Sequence, residues 1–88
     1  MKLNTLASSG GSGVATQIHD AIVGQLPGAV VLVTPGSPGH FGISVTCEEF
    51  RGKNRVACQR LVYKAIAPLM AGDRAPVHAV DQLETKTP

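Results

Sequence analysis

Apolar residues recur along this chain with two different periods, and each change of period marks an element boundary. Val14, Ile18, Ile22 and Leu26 come every fourth residue, which predicts a one-sided helix starting near Val14, capped by Ser12 and stopped by Pro27-Gly28. Ala29 to Thr34, AVVLVT, is short, β-branched and unbroken, the pattern of a strand covered on both faces or nearly so. Pro35-Gly36-Ser37-Pro38-Gly39 can continue neither period and must be a loop. From Phe41 the alternation is clean, with Phe41, Ile43, Val45 and Cys47 on one face and Gly42, Ser44, Thr46 and Glu48 on the other. That is a half-buried strand, antiparallel to the first because the connection is short.

After a turn at Glu48-Glu49-Phe50-Arg51-Gly52 the period returns to that of a helix. Asn54 is the predicted cap, and Cys58, Leu61, Val62, Ala65, Ile66 and Leu69 form one stripe. Pro68 predicts a kink or break, with a short last turn closed at Gly72. Val77 to Leu83, VHAVDQL, reads as a third strand of imperfect alternation. The order helix, strand, strand, helix, strand predicts a small α+β sandwich: a three-stranded mixed sheet with helices on one face.

Charge changes this picture at one place. Arg51, Lys53, Arg55, Arg60 and Lys64 are five of the eight Lys and Arg residues of the chain, with no acid among them. The second helix therefore has a core face and a basic surface, where an anionic partner is expected to meet the molecule. Met1 to Gly13 is Ser/Gly-rich with one charge, Lys2, and reads as a flexible leader. No apolar run approaches the roughly 20 residues of a membrane span. Two cysteines are too few for a disulfide framework. Cys47 and Cys58 both lie on buried stripes and suit inert thiols in a reducing compartment, cytoplasmic or mitochondrial.

Chemistry is sparse. Ser37 has no strand-to-helix elbow and no base, the glycines at 10, 11 and 13 follow no strand, and Glu48 and Glu49 diverge as neighbours, which argues against catalysis. His19 flanks the first helix stripe and reads as a surface histidine. His40 and His78 stand at loop-to-strand junctions, where an imidazole reaches solvent. A chain without CxxC or HxxxH spacing holds no complete metal site alone, but one or two such histidines suffice where a partner brings the remaining ligands.

The residues then resemble a known family. Gly36-Ser37 with Gly39-His40-Phe41, Phe50-x-Gly52, Arg60-Leu61-Val62-Tyr63, Val77-His78-Ala79 and Thr87-Pro88 are similar, in order and spacing over residues 14 to 88, to the motifs of BolA proteins. The resemblance implies a BolA-like domain at 14 to 88 with a fold like class II KH domains. It implies a non-enzymatic adaptor, a monomer alone and a heterodimer with a monothiol glutaredoxin, that assembles or traffics a two-iron iron-sulfur cluster shared with that partner and glutathione. His78 matches the ligand histidine of the V-H-A motif. The family's second ligand, a Cys or His between the first two strands, has no counterpart in Thr34 to Gly39, which leaves His40. The family is also associated with transcription regulation in stress, so DNA binding through the basic stretch 51 to 64 is the alternative. Gly52-Lys53-Asn54-Arg55 lacks the second glycine of a KH loop, which argues against RNA clamping of that kind.

Overall fold

The computed structural model describes residues 13 to 88. The expected Ser12 cap and nearly all of the expected leader lie outside the described residues, and Gly13 is already helical. The elements follow the predicted order: α1 (Gly13–Gln25), β1 (Val30–Pro35), β2 (His40–Thr46), a single 3-10 turn (Glu48–Phe50), α2 (Arg55–Met70) and β3 (Ala79–Lys86). The sheet runs β1-β2-β3. β2 is central, antiparallel to β1 and parallel to β3. A parallel pair needs a long crossover, and α2 is that crossover.

Burial explains why these layers hold. Ile18, Ile22 and Leu26 from α1, Phe41, Ile43 and Val45 from β2, and Cys58, Val62, Ala65 and Ile66 from α2 form one core with Val31, Cys47, Phe50 and Val77. Fully burying a Val or Ile side chain contributes about 1.5 to 3 kcal/mol, so the sheet face that meets both helices carries the stability. Asn54 caps α2 as expected, its side-chain oxygen accepting from the Ala57 N–H at 2.9 Å.

Three expectations are corrected. First, β1 is not covered on both faces: Val31 is buried, but Val30 and Leu32 are 63% and 66% exposed. The helices cover one face only, so an unbroken apolar run here divides into an inner and an outer row. Second, Pro68 lies inside α2, which runs without a break to Met70. Lys64, whose carbonyl loses its i+4 donor at Pro68, is solvent-exposed, as is Pro68, so the lost N–H leaves no carbonyl stranded in the core. Third, β3 starts two residues later than expected and continues to Lys86. Val77 leaves the strand pattern for the core, 1% exposed, and donates its N–H to the Leu69 carbonyl at the end of α2. The imperfect alternation of the third strand also has a cause. Phe41 pairs with Val80 and Gly42 with Gln82, so Asp81 is an extra residue, a β-bulge.

Candidate functional site

The end of the sheet where β2 and β3 begin brings the two expected histidines to neighbouring positions. His40 opens β2 opposite Ala79, the residue after His78. The loop between β1 and β2 is closed tightly, with Gly36 N–H donating to the His40 carbonyl and His40 N–H to the Ser37 carbonyl, both at 2.8 Å. The carbonyl of Gly39 then accepts from the N–H groups of both His78 and Ala79, at 2.8 and 3.1 Å.

Gly39 is the residue this arrangement depends on. Its φ of +82° lies in the left-handed region, and a Cβ there would come within 2.4 Å of Cδ2 of the His78 ring. The imidazole of His78 therefore rests directly on the backbone of Gly39. It is exposed, and among the described residues no hydrogen-bond partner holds either ring nitrogen. His40 differs: its Nδ1 lies 3.0 Å from the Asp81 carboxylate, both side chains being about half exposed. Asp81 thus occupies one nitrogen of His40 and leaves Nε2 available. No group of three or more His, Cys, Asp or Glu able to hold a metal exists among the described residues. The arrangement provides single imidazole donors and is suited to complete a site that another molecule brings.

The five cations do not form one surface. Arg51 is paired with Glu48 through its guanidinium, including a 3.1 Å hydrogen bond from Nη2. That bond holds the Glu48 carboxyl below the usual carboxylate range and raises Arg51 in turn. Lys53 donates to the Glu49 carbonyl at 3.0 Å and lies 4.0 Å from the Glu49 carboxylate. Glu48 and Glu49 thus neutralise the start of the basic stretch. Arg55, Arg60 and Lys64 have no carboxylate within salt-bridge distance among the described residues. Nine residues at 100° each place Arg55 on the side of α2 opposite Lys64. Arg55 lines an open groove of about 940 Å³ that draws on all three strands, and its charged residues, Arg55, Asp81, Glu84 and Lys86, are of both signs. Arg60 and Lys64 instead flank Tyr63, 40% exposed, on the outer face.

Gly39 and Asp81 were missed as site residues. Gly39 lies within the G-S-x-x-H-F loop, but its contact with His78 joins positions far apart in the chain. Asp81 left one trace, the broken alternation of VHAVDQL. Cys47 and Cys58 are free and buried as expected, 3% and 4% exposed, and give no accessible thiol. No described helix is long and apolar enough to cross a membrane.

Comparison with known proteins agrees with the motifs. The model of the BolA-like protein family matches residues 24 to 88. No curated protein matches. Among solved structures, the chain is 34% identical to a BolA protein homologue from Coxiella burnetii over 81% of this chain and 86% of that one, with a TM-score of 0.66. BolA1 from Mus musculus is 25% identical, with all of this chain and 76% of that one covered at a TM-score of 0.70. The BolA domain of SufE1 from Arabidopsis thaliana, 22% identical over 92% of this chain and 96% of that one at a TM-score of 0.68, shares the fold.

Proposed function

This chain belongs to the BolA-like protein family, and on that premise we propose that it is a non-enzymatic adaptor pairing with a monothiol glutaredoxin to coordinate, assemble or traffic a two-iron two-sulfur cluster. The observation that carries the reading is the state of His78: an exposed imidazole, seated on Gly39, with both ring nitrogens free among the described residues. Imidazole binds metal through a neutral nitrogen, and a site with no group of three or more ligating side chains among the described residues fits a centre whose remaining ligands come from the partner and from glutathione. His40 offers Nε2 as a second donor on this chain, oriented by Asp81. The protein's part is to position these imidazoles; the cluster supplies the redox and transfer chemistry. Co-expression with a monothiol glutaredoxin and a visible absorption spectrum of the purified complex test the proposal. A complex without cluster absorption, or no complex, would remove it.

Nucleic-acid binding is favoured by one observation only, the unpaired Arg60 and Lys64 on the outer face of α2. With Arg55 the stretch 51 to 64 holds three such cations, so binding through them should make log affinity for duplex DNA fall against log salt with a slope of about −2.7. No binding at low salt ends this reading. Reversing Arg60 and Lys64 to glutamate with glutaredoxin binding retained would show that the two surfaces are separate.

A further inference from the structure

Among the described residues the edge strand β1 has one backbone edge without a neighbouring strand, and its hydrogen-bonding pattern can be worked out from the hairpin. Every β1-β2 pair follows one register, from Val30 with Thr46 to Pro35 with Phe41, and the next pair, Gly36 with His40, is hydrogen-bonded at 2.8 Å. Bonded and non-bonded pairs alternate in an antiparallel ladder. Val30, Leu32 and Thr34 therefore bond to β2, while Val31, Val33 and Pro35 turn their backbone groups outward. That leaves two N–H donors, those of Val31 and Val33, because Pro35 has none. Among the described residues no backbone group bonds to either.

We propose that this edge pairs with the same edge of a second copy, antiparallel, about a two-fold axis at Leu32. In that register Val31 exchanges both backbone bonds with Val33 of the other copy, and the two free donors and their acceptors are all used. The segment Val31-Leu32-Val33 reads the same in both directions. The two Leu32 side chains meet across the axis on the open face of the sheet, where a non-bonded pair brings Cα atoms to about 4.5 Å. Val30 lies opposite Thr34 of the other copy. The ladder ends there, because Pro35 cannot donate and the Ala29 N–H is held by the Leu26 carbonyl. β1 carries no charge, so two copies approach without repulsion, and it contributes two of the four large exposed hydrophobics, Val30 and Leu32. The opposite edge carries the usual guards against such pairing, a bulge at Asp81 and the charges of Glu84 and Lys86. The product is an isologous dimer with a six-stranded sheet, in which both β3 edges and both His78 side chains remain outward. A contact this short is concentration-dependent, and the dilute chain is a monomer.

Sedimentation equilibrium of the full-length chain from micromolar to millimolar concentration tests this. The average mass is expected to rise from 9.1 kDa toward twice that value. Leu32→Lys places like charges across the axis and abolishes the rise, as does Leu32→Glu, while an equal mixture of the two variants restores it. Both substitutions fall on an exposed position, and restoration in the mixture shows that each variant is folded. Constant monomer mass at millimolar concentration overturns the proposal. So does association that persists unchanged in Leu32→Lys.

Discussion

The two edges of the sheet, β1 and β3, are built on opposite plans. β1 is short, regular and uncharged, and its outer row is Val30 and Leu32, both largely exposed. β3 is longer, broken by a bulge at Asp81, and carries Asp81, Glu84 and Lys86. A regular edge recruits another strand through backbone groups, whereas a bulged and charged edge discourages strand addition and leaves recognition to side chains. The candidate ligands His40 and His78 stand at the end of the sheet where β2 and β3 begin. Under the two proposals made above, the difference divides the molecule by kind of contact: backbone pairing at β1, side-chain coordination where β2 and β3 begin.

Gly39→Ala breaks this division most severely. The new Cβ meets the His78 ring at 2.4 Å, and the backbone at φ +82° disfavours any side chain. A loss of about 2 kcal/mol is expected in denaturant unfolding, together with a displaced His78 and a weakened shared cluster. Wild-type stability would mean that the loop does not hold the histidine in this way.

His78→Ala separates stability from chemistry. An exposed side chain without a hydrogen bond should cost less than about 0.5 kcal/mol, while the visible spectrum and lability of the shared cluster change. A variant that loses stability and keeps a wild-type spectrum would show instead that His78 serves only the turn after Pro76.

Asp81→Asn sharpens the comparison at β3. The His40–Asp81 contact is 3.0 Å long but half exposed, so its removal is expected to cost about 0.5 kcal/mol or less. The bulge should persist, since it is set by strand register. If His40 is the second donor, its Nε2 loses orientation and the cluster of the complex becomes more labile; an unchanged half-life would leave His78 as the sole protein ligand on this chain.

Leu32→Thr at β1 is the mildest. The position is 66% exposed and threonine suits a strand, so the melting temperature should be unchanged, an effect within about 0.5 kcal/mol. A clear loss would show that the open face is covered by something in the free protein.

Much of this was legible in the chain because periodicity is a local property. The spacing of Ile18, Ile22 and Leu26, the alternation from Phe41 to Cys47, the Asn54 cap and the stripe from Cys58 to Ile66 all follow from backbone geometry within one segment. Those elements stand where they were expected, and their order alone required the mixed sheet. The motifs around His40 and His78 were likewise visible as residue strings, enough to identify the family.

What tertiary structure decided is whatever depends on a neighbour distant in sequence. An unbroken run such as Ala29 to Thr34 does not reveal how many of its faces will be covered, since that depends on where both helices lie. Pro68 is tolerated because its turn of α2 faces water. Val77 leaves the strand pattern because the core and the Leu69 carbonyl take it, which delays β3 to Ala79. Glu48 and Glu49 neutralise two cations because the 3-10 turn folds them back, and the ring of His78 is set by a glycine thirty-nine positions earlier. In each case the deciding free energy is a packing or pairing term between segments, and the chain encodes such terms only jointly, through the fold as a whole.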